Sequence, residues 1–143
     1  MELKTIGIIH SPFQITGEAP YQGRHTQETA IIEVFPEFAV GLKDVEQTSH
    51  LIVLYWCDRA DRERLQTRTP HGPEIRGVFA CRSPSRPNPI AFTVVELLKR
   101  EGNCLHVRGC DALNKSPLLD LKPYSAGIDS FPGARIGWFK EGQ

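Results

Sequence analysis

Short runs of β-type residues, mostly apolar and separated by Gly, Pro and Asn, dominate the pattern of this chain. Seven runs read as strands: Thr5 to His10, Thr29 to Phe35, Leu51 to Cys57, Gly77 to Cys81, Ile90 to Leu98, Cys104 to Arg108 and Leu118 to Lys122. Short strands at fairly even spacing predict an all-β fold, a small antiparallel β-barrel of about six to seven strands. Glu101-Gly102-Asn103 reads as a hairpin turn. One or two short helices are expected, the best placed over Arg59 to Gln66, ended by Pro70, Gly72 and Pro73. In the Leu51 to Cys57 run Tyr55 and Trp56 must face opposite sides, and His50 at its start reads as a hydrogen-bonded core histidine.

The chain of 143 residues reads as one domain, 1–143, with a core over 4–124 and an extended C-terminal arm over 125–143. The arm carries Ile128, Phe131, Ile136, Trp138 and Phe139, apolar groups a small barrel cannot cover, which predicts a homodimer. Composition adds little, since 40% hydrophobic and 24% charged residues are ordinary for a globular chain. The longest apolar run is too short to cross a bilayer, and Glu2, Lys4 and His10 interrupt any signal peptide, so a cytoplasmic, membrane-free protein is expected. Cys57, Cys81, Cys104 and Cys110 form no C-x-x-C pair and read as reduced thiols. A zinc site drawn from Cys104, His106 and Cys110 fits no usual ligand spacing, so no metal is expected.

Formal charge is zero, but its distribution is uneven. Between Arg59 and Arg86 seven Arg stand against Asp61, Glu63 and Glu74, while the rest carries ten Lys or Arg against fourteen acids. A basic segment on an acidic body suits a partner that presents phosphates; a solvated loop whose charges pair internally is the alternative.

The most informative stretch is Gly77 to Phe92, GVFACRSPSRPNPIAF, with Pro84, Pro87 and Pro89 inside six residues. Three fixed φ angles stiffen the loop without secondary structure, so Arg82 and Arg86 are held on a rigid platform with Ser83 and Asn88 beside them. Such a loop suits a small polar ligand; otherwise it is a Pro-rich corner whose arginines cap carbonyls.

R-S-P-x-R-P-N-P-I over Arg82 to Ile90 resembles the signature of the TrmO (YaeB, TsaA-like) family of S-adenosylmethionine-dependent tRNA methyltransferases. Satellites follow in the right order: Ile6-Gly7 with Ser11-Pro12-Phe13, Ser49-His50-Leu51, Gly77 to Ala80, and Asp120-Leu121-Lys122-Pro123-Tyr124. The resemblance runs from about Lys4 to Tyr124. It implies a barrel methyltransferase that binds S-adenosylmethionine near a homodimer interface. It also implies methylation at N6 of threonylcarbamoyladenosine, position 37 in the anticodon loop of threonine tRNA. Carried over by residue, it implies cofactor contacts at Arg82, Phe92, Asp111 and Leu113, with Gln22, Gly23, Arg24, Asp58 and Arg59 aligned by position only; Ser83, Arg86 and Asn88 join them as cofactor candidates from the chemistry of the rigid loop. Ala91 stands where the family has Gly, and Asn114-Lys115-Ser116-Pro117 replaces Asp-Gly-Thr-Pro.

Methyl transfer from a sulfonium needs positioning rather than a metal or covalent nucleophile, with help from a base for the acceptor proton. Candidates for catalysis are Asp111, Asp120 and Tyr124; for RNA contact, Arg62, Arg64, Arg68, Lys122 and Tyr124. Two other readings stay open: a methyltransferase on another small or nucleoside substrate, and a non-catalytic S-adenosylmethionine-binding module.

Overall fold

Six of the seven runs become the staves of a closed barrel. The computed structural model describes residues 1–20 and 22–139, with strands β1 (Gly7–His10), β2 (Thr29–Val34), β3 (His50–Trp56), β4 (Gln66–Thr69), β5 (Gly72–Gly77), β6 (Ile90–Glu101), β7 (Cys104–Arg108) and β8 (Ser116–Pro123). Six of them close antiparallel in the order β1-β2-β7-β6-β3-β8, and β4–β5 is a separate two-stranded hairpin. Closure leaves the barrel without a free edge. Inward positions recur at every second residue: Ile9, Ile32, Leu51, Val53, Val95, Leu105, Val107 and Leu118 are fully buried and form one cluster. Burying each such side chain is worth roughly 1.5–3 kcal/mol, which makes this interior the main source of stability.

The β6–β7 hairpin turns where expected, with Gly102 at φ 59°, a left-handed conformation that glycine adopts freely. One end of the barrel is closed by 3₁₀ turns over Pro36–Leu42 and Val45–Gln47, whose Phe38, Leu42 and Val45 pack onto the core. At the other end meet the C-terminal end of β3, the start of β6 and β8, and the chain leaving β7.

Three expectations are corrected. Residues 59–66 form no helix: the chain runs through turns into β4, and Leu65, at 62% exposure, offers no apolar face for a helix to bury. The expected strand Gly77 to Cys81 is instead the end of β5 followed by a 3₁₀ turn over Val78–Ala80, anchored by buried Val78 and with Phe79 82% exposed. His50 is exposed rather than in the core; its Nδ1 meets Ser49 Oγ at 2.8 Å, and its ring stands edge-on to Tyr124. The C-terminal arm contains one helical turn, α1 (Ala126–Asp129), and its far end meets His71 and Arg76 of the same chain. Phe139 stacks on His71 at 4.0 Å, and Arg76 covers Trp138 at 4.8 Å. Ile128 and Phe131 stay more than 70% exposed. The last four residues expected in the arm lie outside the described residues. No described helix is long and apolar enough to cross a membrane, and the four cysteines are free thiols.

Candidate functional site

At the open end of the barrel lies a cavity of about 550 Å³. Its floor is a cross-strand pair, Tyr55 of β3 and Ala91 of β6, with Phe92 next to them. The β3–β8 register slips between Leu54 and Tyr55, and bulges of this kind re-aim side chains at barrel rims. Ala91 is ordinary extended strand, so its methyl, where the family has Gly, carries no backbone strain.

The proline-rich loop forms one wall and is held by its own arginine. Arg86 donates from Nε to the Ser83 carbonyl and from Nη2 to the Cys81 carbonyl, both at 2.7 Å. Arg82 donates from Nη2 to the Phe92 carbonyl at 3.0 Å, and its guanidinium lies 5.4 Å over the Phe92 ring. Arg62 ties the preceding segment to this loop: Nε donates to the Pro87 carbonyl at 2.8 Å, and the guanidinium stacks 5.0 Å from the Trp56 ring. Arg59 joins two more loops through the carbonyls of Gln14 and Asn114.

The opposite wall follows β7. Gly109, at φ 91°, turns the chain, and buried Cys110 and Ala112 pin the backbone on either side of Asp111. Tyr55 donates its hydroxyl to Asp111 Oδ1 at 2.8 Å. Burial pushes the Asp111 carboxyl above its ordinary range, against the Tyr55 hydrogen bond and the Arg82 charge, which favour the carboxylate. Burial also pushes the Tyr55 phenol far up, and the Cys57 thiol up to about 11, with Asp111 adding to both. Neither ionises near neutral pH.

Of the residues expected at the cofactor, the cavity gathers Gln22, Asp58, Arg59, Arg82, Ser83, Arg86, Phe92, Asp111 and Leu113. Gly23, Arg24 and Asn88 are outside its lining. Gly23 is packed against Gly109, Arg24 is exposed, and Asn88 accepts from Arg62 Nη2 at 3.4 Å. Tyr55 was not among the expected contacts, although a lone hydroxyl on the inner face of an aliphatic strand must find a partner.

Asp120 and Tyr124 do not line this cavity. Asp120 pairs with Lys122 at 3.2 Å beside a separate groove of about 360 Å³ near Phe38, Leu42 and Val45. Tyr124 is tied through its backbone N–H to the His50 carbonyl at 3.0 Å. Of the other arginines expected at RNA, Arg64 lies 3.7 Å from Asp61 and Arg68 donates to the Pro73 carbonyl at 3.2 Å. Lys115 sits between the cavity-lining residues Leu113 and Ser116 at φ 69°, a left-handed conformation, and its Nζ donates to His10 Nδ1 at 3.1 Å. His10 Nε2 in turn meets Glu33 Oε1 at 2.8 Å. Among the described residues no group of His, Cys, Asp and Glu could hold a metal ion.

The profile of the tRNA-methyltransferase O N-terminal domain matches residues 8–130. An Archaeoglobus fulgidus protein described as a probable S-adenosyl-L-methionine-binding protein is 55% identical over 141 residues, covering 99% of this chain and 38% of its own length. A second from the same organism, described as an S-adenosyl-L-methionine-binding protein, is 50% identical over 129 residues, covering 90% of this chain and 93% of its own. The crystal structure of TrmO from Pseudomonas aeruginosa superposes with a TM-score of 0.80 at 32% identity, over 94% of this chain and 59% of that one. The chain thus spans well under two thirds of some relatives and nearly the whole of others. With the barrel, the signature loop and this profile in agreement, the chain belongs to the TrmO family.

Proposed function

We propose that this chain is a cytoplasmic, homodimeric S-adenosylmethionine-dependent methyltransferase that methylates N6 of threonylcarbamoyladenosine at position 37 of threonine tRNA. The observation that carries the reading is the cavity, where the Arg82 loop of the family signature meets Asp111 and Leu113 from the far side of the barrel. Its chemistry fits the cofactor. Arg82 and Arg59 offer cations to a carboxylate, Asp58 and Asp111 offer oxygens to hydroxyl and amino groups, and Phe92 and Leu113 offer apolar surface to a purine. A volume of about 550 Å³ is in the usual range for cofactor sites. When bound, the cofactor supplies a methyl group already activated by its sulfonium, so the protein's task is to align donor and acceptor and exclude water.

Arg64 and Arg68 of the basic segment, with Lys122 and Tyr124, form the proposed RNA contacts. The exposed Ile128 and Phe131 of the arm are the proposed dimer contacts. Incubation with labelled S-adenosylmethionine and bulk tRNA tests the reading, and label must appear in threonine tRNA. One observation favours a second reading, a different acceptor. The turn carrying Leu113 and Ser116 into the cavity wall holds Lys115 in a conformation suited to the family's Gly. Label confined to small molecules would support that reading, and binding without turnover would support a non-catalytic module.

A further inference from the structure

We propose that Tyr55 is a positioning residue that holds Asp111 as the acceptor of the proton released during methyl transfer. This rests on the reading of the cavity as the site where donor and acceptor meet. Tyr55 and Asp111 stand 56 residues apart in sequence, and both side chains reach the same cavity. The phenol is held from below: Tyr55 is 7% exposed, pairs across the strands with Ala91 and sits at the register slip of β3 against β8. The carboxylate is held from behind by buried Cys110 and Ala112, and the Ala112 carbonyl is itself fixed by Ser11 Oγ at 2.7 Å. With Oδ1 bound by the phenol, rotation of the carboxyl group is restricted, and Oδ2 is left as the oxygen for a substrate proton.

The other groups at the cavity are unsuited to this task. Cys57 stays a protonated thiol, and Tyr55 stays a phenol. Asp58 is exposed and has the Arg59 guanidinium 3.8 Å away, and Asp120 is outside the cavity beside Lys122. Asp111 combines burial, which makes its carboxylate a stronger base, with the Tyr55 hydrogen bond, its own backbone N–H and the Arg82 charge, which keep the ionised form accessible. In the step itself Asp111 takes the acceptor N–H proton while the nitrogen's bond to the methyl carbon forms. The carbon–sulfur bond breaks with its electron pair going to sulfur, leaving a neutral thioether, and Asp111 returns the proton to water.

The phenol stabilises the carboxylate, so its removal must raise the Asp111 pKa further and move the acid limb of the rate profile to higher pH. The test begins with ¹³C-carboxyl NMR titration of ligand-free protein, the Asp111 signal being assigned by its loss in Asp111→Asn. Tyr55→Phe is expected to shift the midpoint up. Uniform 3-fluorotyrosine, a stronger donor in an unaltered fold, is expected to shift it down, and so keeps the proposal testable if Tyr55→Phe folds poorly. Asp111→Asn is expected to lose about 10²- to 10⁴-fold in kcat, the usual worth of a general base, at saturating S-adenosylmethionine and beyond any loss of calorimetric affinity. A midpoint that does not respond to the tyrosine changes overturns the proposal, as does an Asp111→Asn variant whose loss lies wholly in cofactor affinity. The titration needs neither RNA nor cofactor, so failure of threonine tRNA as the acceptor is read separately.

Discussion

Gly23 faces the carbonyl of Gly109 so closely that a Cβ on Gly23 would stand 1.9 Å from that oxygen and 2.5 Å from Thr93 Oγ1. This contact locks the segment before β2 against the turn that leads from β7 to Asp111. Because the first obstacle is backbone, Gly23→Ala forces a backbone shift, and overpacking of this kind costs about 1–3 kcal/mol. Urea unfolding is expected to show a lower midpoint with an unchanged slope. A variant as stable as the parent would mean that the two loops separate freely.

Asp111 carries a pH signature of its own. Its folded-state pKa is raised above the ordinary 3.8, so the folded protein holds a proton that the unfolded chain has released. Stability from this group is therefore greatest below pH 3.8 and falls as pH rises towards the folded value. Asp111→Asn removes that loss while leaving an oxygen for Tyr55. Its stability relative to the parent is expected to rise across this window and then level off, measured by urea unfolding at a series of pH values. A difference independent of pH would contradict the raised pKa.

The arginines of the basic segment should separate into two groups. Arg62 is a tether of the signature loop, through the Pro87 carbonyl and the Trp56 ring, so Arg62→Ala is expected to weaken cofactor binding. Arg64 and Arg68 make no such link to the loop, and replacing both with Ala should leave cofactor affinity alone. Their loss should flatten the salt dependence of tRNA binding by roughly 0.7–0.9 in log–log slope per phosphate contact removed. Calorimetry and filter binding over a salt series distinguish the two effects. Equal behaviour of the two variants would remove the distinction.

Arg82 lines the cavity, and its Nη2 donates to the Phe92 carbonyl. A charge-assisted hydrogen bond is worth about 1.5–3 kcal/mol, so Arg82→Ala should weaken S-adenosylmethionine roughly ten- to a hundredfold. Calorimetric affinity unchanged in a folded variant would take Arg82 out of the site.

Lys115 is a non-glycine residue at φ 69° on an exposed turn. The left-handed conformation costs roughly 1–2 kcal/mol, of which glycine's greater unfolded-state entropy offsets about 0.4–1. Lys115→Gly is expected to raise stability by up to about 1.5 kcal/mol on those figures, observed as a higher urea midpoint. A fall instead would mean that the chain from Lys115 through His10 to Glu33 outweighs the strain.

What the sequence determined by itself was local. Short runs of β-type residues bounded by Gly, Pro and Asn marked the six barrel strands, because strand preference and turn residues act within a few positions of the chain. The signature loop was legible because Pro84, Pro87 and Pro89 stiffen the backbone whatever surrounds them. Tertiary structure decided the rest, because pairing across the fold leaves no local period. β4 and β5 pair through polar, exposed residues and so lack the apolar alternation that marks a half-buried strand. Val78 is buried by a turn rather than a strand, since a single apolar anchor fits either. Arg62 read from sequence as a free cation, yet the Pro87 carbonyl, 25 residues away and reached only on folding, claims its Nε; Arg86 caps the nearby Ser83 and Cys81 carbonyls, the local alternative the sequence had left open. Tyr55 gained its partner in the same way: alternation allowed either it or Trp56 to face inward, and only closure of the barrel put its hydroxyl beside a carboxylate 56 residues away.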